Sequence, residues 1–217
     1  MRALVLVDIQ RDFLPTGALP VPKGDEVVPV ANRLMRELGA EVIVATQDWH
    51  PPGHGSFASS HSGKHPFEVT QLDGLDQILW PDHCVQRSAG AEFAPGLDTG
   101  RFQKVFRKGE NPNVDSYSGF FDNGHRSDTG LGAWLKDRGV TDVYLLGLAT
   151  DVCVMYTALD ACRLGFNTWL VVDGCRGVNV APGDTHRAIE EMQRAGVRVA
   201  TSEELLGSRA AQSAGLA

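Results

Sequence analysis

The sequence predicts an α/β fold, a three-layer sandwich in which a mostly parallel central sheet lies between helices. Several short runs are almost wholly apolar, which is typical of strands buried on both faces of a sheet. Segments with apolar residues at helical spacing alternate with these runs, which predicts parallel strands joined by right-handed crossovers. A chain of 217 residues with 42% hydrophobic residues can bury a substantial core, so we expect one domain over residues 1–217.

The first half of the chain begins with a strand, a helix and a second strand. Residues 3–9 form the first apolar run, and apolar residues recur at helical spacing from Asp25 until Gly39 ends the helix. Residues 41–46 form the second predicted strand. Residues 51–100 show little periodicity, and a loop of that length inside a compact domain is usually functional. Residues 102–106 are the third predicted strand.

The second half repeats the alternation. A short helix is predicted at residues 131–138, followed by an apolar strand from Val143 and a helix that ends at Gly165. A strand at residues 167–172, a helix at 182–195 and a last strand at 197–201 complete the pattern. From about residue 208 the chain is small and polar, and we expect a mobile tail there.

Charge and cysteine content narrow the class of protein. The formal net charge is −7 and no basic run occurs, so we expect neither nucleic acid nor a membrane surface as a partner. The apolar run after Met1 is too short for a secretion signal or a membrane span. The four cysteines form no CxxC unit, which favours a reduced, cytoplasmic protein. A homo-oligomer is compatible with these features.

Cys153 lies where a predicted strand turns into a helix. Backbone N–H groups at a helix start lack intrahelical partners and favour negative charge, so we expect a pKa below the usual value of about 8.5. The N–H groups of Ala149 and Cys153 could also bind the oxyanion that forms when a thiolate attacks a carbonyl. The alternative is that Cys153 is simply a small buried apolar residue.

Asp8 and Lys108 also follow apolar strands at their carboxyl ends, where ligands collect in parallel sheets. Hydrolysis of an amide by a thiol needs a base for the thiol and an acid for the leaving nitrogen, and Asp8 could serve as both. Lys108 would stabilise the thiolate and keep Asp8 charged. The alternative is a purely structural ion pair, because a buried charge needs a partner in either case.

Asp48, His50 and His83 form a second group. One carboxylate and two imidazoles suit a divalent zinc, iron or manganese ion. Asp48 and His50 are two residues apart after a strand, so their side chains can point to the same side. His54 is a candidate for an outer position around such an ion, whereas histidines later in the loop, at positions 61 and 65, are expected to face solvent.

Seven motifs follow one another along nearly the whole chain, namely VDIQRDF (7–13), QDWHP (47–51), HGSF (54–57), WPDHCV (80–85), KG (108–109) with VDSYS (114–118), GLATDVC (147–153) and DGCRG (173–177). In this order they resemble the isochorismatase-like superfamily of cysteine hydrolases and, within it, the nicotinamidase (pyrazinamidase) group.

The resemblance implies that the chain hydrolyses nicotinamide, and pyrazinamide as well, through a thioester on a cysteine, in NAD salvage. It implies a catalytic triad and a set of metal ligands, namely Asp8, Lys108 and Cys153 for the triad and Asp48, His50 and His83 for the metal. Zinc is the expected ion, with iron or manganese as alternatives. The metal would bind the pyridine nitrogen and place the carboxamide over the thiol. The substrate-binding residues would be Phe13, Leu19, Trp80 and Tyr117. A cis peptide bond between Leu148 and Ala149 is also implied.

Three other functions stay open at this point. A carbamoyl- or ureido-amide hydrolase of the same superfamily would keep the chemistry and change the substrate. A nucleotide-binding module is disfavoured because no GxGxxG follows the first strand. An isochorismatase-type hydrolase that does not use the thiol predicts that Cys153→Ala keeps its activity.

Overall fold

A computed structural model describes the backbone of residues 1–214 and the side chains of residues 1–208. Six parallel strands form the central sheet in the order β5-β2-β1-β6-β7-β8, and a two-stranded hairpin, β3-β4, lies outside it. The strands are β1 (Arg2–Val7), β2 (Val42–Asp48), β3 (Val69–Leu72), β4 (Leu75–Ile78), β5 (Lys104–Lys108), β6 (Asp142–Leu148), β7 (Asn167–Arg176) and β8 (Arg198–Ala200). The predicted α/β class with a parallel sheet is confirmed.

Helices cover both faces of the sheet. They are α1 (Val27–Glu37), α2 (Leu131–Asp137), α3 (Met155–Arg163), α4 (Asp184–Arg194) and α5 (Ser202–Ala214). Helix α1 contacts α5, and α3 contacts α4, so β7 is packed against one pair on each side. Residues 3–7 of β1 are at most 1% exposed, because side chains on both faces of this central strand lie in the core. Most of the buried apolar side chains form one continuous cluster.

Helix α1 illustrates how sequence sets the packing. Val27, Ala31, Leu34 and Leu38 recur at helical spacing and are almost fully buried, whereas the opposite side of the helix faces solvent. Gly39 adopts a positive φ of 64° directly after the helix, which a residue with a Cβ adopts less readily.

Three features differ from the sequence prediction. The hairpin β3-β4 lies inside the segment expected to be irregular, and its turn is formed by Asp73 and Gly74, both with positive φ. Strand β7 continues to Arg176, four residues beyond the predicted end. The backbone of α5 is helical to Ala214, whereas no helix was expected there. The side chains beyond residue 208 and residues 215–217 lie outside the described part, so a mobile tail stays a prediction, as does the division into domains.

No helix in the described part of the chain has the length and apolar character needed to cross a membrane.

The strand order brings four strand ends together. The chain moves from β1 to β2 and β5 on one side and then crosses to β6 on the other side of β1, so β1 lies where the direction of winding changes. Ligand sites in parallel sheets form at such a point, beyond the carboxyl ends of the strands. Asp8, Asp48, Lys108 and Cys153 follow or end the four adjacent strands β1, β2, β5 and β6.

Candidate active site

Lys108 is the centre of a buried polar cluster. Its Nζ atom lies 3.0 Å from Asp8 Oδ2 and 2.8 Å from Asp48 Oδ1, and the amine is fully buried. It also donates to the carbonyl oxygen of Ser116 at 2.7 Å and lies 3.4 Å from Cys153 Sγ. The two carboxylates raise the pKa of Lys108 well above its usual value against the opposing effect of burial, so the ammonium form persists.

Asp8 is held in place by Thr46 of the neighbouring strand. The Thr46 hydroxyl donates to Asp8 Oδ1 at 2.6 Å and accepts from the Asp8 backbone N–H at 3.2 Å. The second oxygen, Oδ2, pairs with the Lys108 ammonium at 3.0 Å and meets no further hydrogen-bond partner among the described residues. Burial raises the pKa of Asp8, and the Lys108 ammonium only partly offsets this effect. The affinity of this carboxylate for a proton is therefore increased although it is paired with a cation.

Cys153 lies on a π-helical turn, Thr150–Val154, that connects β6 to α3. One oxygen of Asp8, one of Asp48 and the Cys153 sulfur all lie within 4.8 Å of one another. The expected reduction in pKa is wrong: burial raises the thiol pKa well above its usual value, although Lys108 acts in the opposite direction. A helix start favours the thiolate locally, but the loss of solvation in a 6% exposed position outweighs it.

The peptide bond between Leu148 and Ala149 is cis, as the family resemblance implies. Ala149 and Cys153 line one cavity of the protein together. Their proposed role in binding an oxyanion stays a prediction.

Asp48, His50 and His83 converge on one point. The Nε2 atoms of His50 and His83 lie 3.4 Å and 3.6 Å from Asp48 Oδ2. Their Nδ1 atoms lie 3.0 Å and 2.7 Å from backbone carbonyl oxygens, those of Gly109 and Pro81. Because a carbonyl can only accept, each Nδ1 carries the hydrogen in the neutral ring and each Nε2 presents a lone pair.

These donors suit a divalent cation. His50 Nε2 is buried and has no hydrogen-bond partner among the described residues, and it faces a carboxylate oxygen that also presents lone pairs. Burial opposes ionisation of Asp48, yet the Lys108 ammonium holds its pKa well below the usual range. Two imidazole nitrogens and a carboxylate oxygen within 4.8 Å are a chemically appropriate set for zinc, iron or manganese.

The other loop histidines differ from one another. His54 is fully buried, and its ring lies 4.5 Å from that of His50 between centroids. Both of its nitrogens have partners, the Ser56 hydroxyl and the Asn111 carbonyl, so it fits the expected outer position. His61 is only half-exposed and lies 2.7 Å from the carbonyl of Gly55, which differs from the solvent-facing position expected, whereas the histidine at 65 is exposed.

The expected substrate-binding residues line one cavity together with the thiol and two of the metal-ligand candidates, Asp48 and His83. Phe13, Leu19, Trp80 and Tyr117 all line it, together with Asp48, His83, Ala149 and Cys153. Trp80 Nε1 donates to the Tyr117 hydroxyl at 3.2 Å, which fixes two rings of the wall relative to each other. The mainly apolar lining with two aromatic rings in contact suits a small flat molecule.

Several residues of the site were not expected from the sequence. They are Gln10, Thr46, Asp115, Ser116 and, in the cavity wall, Val21, Val152 and Val178. The Gln10 amide accepts from the backbone N–H of Asp48 at 2.8 Å and donates to its carbonyl at 2.9 Å. Gln10 lies two residues after Asp8 in the first motif, and its place in that motif was the available signal.

A buried thiol, carboxylate and amine at the ends of parallel strands define a hydrolytic enzyme of the α/β class. Comparison with known proteins places it more narrowly: the family model described as the isochorismatase domain matches residues 2–204, and the chain belongs to this family.

Relatives that are named for an enzymatic activity match nearly the whole chain. It is 53% identical over 202 residues to the nicotinamidase of Escherichia coli, covering 92% of this chain and 94% of the relative. The structure of an Acinetobacter baumanii nicotinamidase and pyrazinamidase superimposes with a TM-score of 0.90 at 45% identity, covering 94% of this chain and 97% of that one. A zinc complex of the pyrazinamidase of Pyrococcus horikoshii gives 0.75 at 39% identity, covering 92% and 98%.

Proposed function

We propose that this chain hydrolyses nicotinamide to nicotinate and ammonia through a thioester on Cys153, in NAD salvage, and that it accepts pyrazinamide as well. The observation that carries the proposal is the contact of one buried ammonium with both Asp8 and Cys153 beside an aromatic-walled cavity. Relatives at high identity that carry the name nicotinamidase support it.

In the first half of the reaction, Asp8 takes the proton from the Cys153 thiol, and the sulfur attacks the carboxamide carbon. The N–H groups of Ala149 and Cys153 bind the oxygen of the tetrahedral intermediate. When the C–N bond breaks, Asp8 returns the proton to the leaving nitrogen, which departs as ammonia. Lys108 stabilises the charge as it moves from the carboxylate to the sulfur, since it contacts both groups.

In the second half, water occupies the place of the departed ammonia. Asp8 takes a proton from this water as its oxygen attacks the thioester carbon. The C–S bond then breaks, the acid is released, and the proton on Asp8 returns to the sulfur. The raised pKa of Asp8, caused by burial, suits a group that accepts and returns a proton in each half of the cycle.

Asp48, His50 and His83 would hold the divalent cation, with zinc as the first candidate because a pyrazinamidase relative was solved as a zinc complex. When bound, the cation would supply a Lewis-acid contact for the pyridine nitrogen of the substrate. The protein's own contribution to orientation is the wall of Phe13 and Trp80 on the ring. The cytoplasmic location and the homo-oligomer stay predictions.

The test is ammonia release from nicotinamide by the purified chain, with an N-carbamoyl amide as the competing substrate. We expect release from nicotinamide and little from the carbamoyl compound. Cys153→Ala should abolish release while nicotinamide still binds, and mass spectrometry of the quenched wild type should find the acyl adduct on Cys153. Activity retained by Cys153→Ala, or preference for the carbamoyl amide, would reject the proposal.

Chelation provides a separate test of the metal. We expect the purified protein to contain about one divalent ion per chain by elemental analysis, and to lose activity when the ion is removed and regain it with zinc. His83→Ala should contain less metal without unfolding. Full metal content in that variant would reject these ligands while leaving the thiol chemistry intact.

A further inference from the structure

The cavity contains a carboxylate that the proposed reaction does not use. Asp115 lines the cavity and is 3% exposed. Its Oδ1 accepts the backbone N–H of Ser116 at 2.7 Å, and its Oδ2 accepts from Gln77 Nε2 at 3.2 Å. The same Gln77 nitrogen donates to the hydroxyl of Tyr117 at 2.8 Å, so the carboxylate is fixed relative to the aromatic wall.

Asp115 differs from Asp8 and Asp48, the other two carboxylates of the site, in the charge of its partners. Asp8 and Asp48 both pair with the Lys108 ammonium, at 3.0 Å and 2.8 Å. No lysine or arginine side chain within residues 1–208 forms an ion pair with Asp115. Its hydrogen bonds come from neutral donors, and the imidazole nitrogens of His50 and His54 lie within 4.8 Å of a carboxylate oxygen. The carboxylate of Asp115 is therefore not paired with a lysine or arginine side chain of the described residues.

Asp115 also determines the net charge around the ligand. Asp8, Asp48 and Asp115 supply three negative charges, and Lys108 together with a divalent cation would supply three positive ones. The site would then be neutral as a whole, which matches a neutral amide. Without the charge of Asp115 the same site would carry a net positive charge, which favours the carboxylate product over the amide substrate.

We infer that Asp115 is a specificity-determining residue: its charge disfavours binding of an aromatic carboxylate relative to the neutral carboxamide, and so promotes release of the product. This inference rests on the proposed function, because it takes nicotinamide as substrate and nicotinate as product. The residue belongs to the cavity wall and takes no part in the proton transfers.

The test compares the affinities of nicotinate and nicotinamide by calorimetry in the metal-loaded Cys153→Ala protein, where no turnover occurs. Adding Asp115→Asn, which keeps the shape and removes the charge, should tighten nicotinate binding on the order of tenfold, as expected for one charge–charge interaction across a small cavity. Nicotinamide, which carries no charge, should change by less than about twofold. The matched control is Asp76→Asn, which removes an exposed carboxylate on β4 and should alter neither affinity.

Each other outcome counts against the inference. Equal changes for both ligands would show that Asp115 only supports the local structure. Loss of metal from Asp115→Asn by elemental analysis would make Asp115 a ligand instead. If the double variant does not fold, the two affinities are compared in Cys153→Ala alone. Tighter binding of nicotinate than of nicotinamide by that protein would contradict the inference that the site disfavours a charged carboxylate. If the wild type releases ammonia from nicotinamide but the binding results above are not obtained, this inference alone is rejected. If the chain neither binds nor hydrolyses nicotinamide, the proposed function is rejected as well.

Discussion

Replacement of Lys108 by methionine should destabilise the protein strongly. The amine is fully buried and pairs with two carboxylates, Asp8 and Asp48, at 3.0 Å and 2.8 Å. Methionine preserves much of the apolar stem but leaves two buried negative charges without their cation. Breaking a buried ion pair in this way costs about 3–5 kcal/mol, a large part of a typical free energy of unfolding of about 5–15 kcal/mol.

Urea unfolding of metal-free protein, followed by tryptophan fluorescence, measures this cost. The matched control is Lys104→Met on the same strand, where the exposed amine lies 4.6 Å from the centre of the Phe106 ring. That contact contributes about 0.5–1 kcal/mol, so the control should lose no more than this. A Lys108→Met protein as stable as the control would refute the view that the ammonium compensates the buried carboxylates.

The pH dependence of that cost is a further check on its cause. Lys108 helps to hold the pKa of Asp48 well below its usual range against the effect of burial. A depressed pKa contributes stability above the unfolded-state pKa and loses it as the pH falls through the folded-state value. In Lys108→Met the buried carboxylates take up protons at higher pH than in the wild type. The difference between the two proteins should therefore narrow as the pH falls from neutrality, and a difference that widens would contradict an electrostatic origin.

Three further predictions concern groups around the cluster. Thr46→Val removes the hydroxyl whose hydrogen bond lowers the pKa of Asp8. The pH at which kcat/KM falls on the acid side, where the base becomes protonated, should therefore be higher than in the wild type. A shift of this pH to a lower value would exclude Asp8 as the base. Gln10→Leu leaves the backbone N–H and carbonyl of Asp48 unpaired. The free energy of unfolding measured in urea should fall by about 1–3 kcal/mol for each group. An unchanged urea midpoint would mean that water replaces the amide. Zinc at about 100 times its Kd should raise the free energy of unfolding by about 2.7 kcal/mol in the wild type, and the same increase in His50→Ala would exclude that histidine as a ligand.

The order of the elements could be predicted because the strands of this sheet are nearly pure apolar runs. Residues 3–7 and 42–48 are buried on both faces, and each run ends in a polar residue that marks the carboxyl end of its strand. The position of Lys108 at the end of β5 was also predicted, although this strand (KVFRK) is partly exposed and its apolar signal is weaker. The sequence does not contain the order in which strands pair, and it is this order that places four of those ends side by side.

Features that depend on contacts between distant segments were missed or wrong. The thiol pKa is the clearest case, because the helix start is visible in the sequence, whereas the desolvation that outweighs it comes from packing around Cys153. The amide of Gln10 and the carboxylate of Asp115 gave no periodic signal, since each is buried in a polar network formed by other segments. The β3-β4 hairpin was missed although Asp73-Gly74 is a turn sequence, because its strands have few apolar residues.

The sheet order has a consequence for how activity would be lost under stress. Strand β5 is an edge strand of the sheet and is hydrogen-bonded to β2 on one side, whereas β1 and β2 are each hydrogen-bonded to a strand on both sides. Local opening of an edge strand requires less free energy than unfolding of the whole molecule. Since Lys108 is the last residue of β5, fraying of this strand would withdraw the ammonium while the interior is still folded. Catalysis should therefore disappear at a lower urea concentration than the helical circular dichroism signal, whereas tryptophan fluorescence would respond to the fraying itself because Trp49 and Trp134 contact residues of β5.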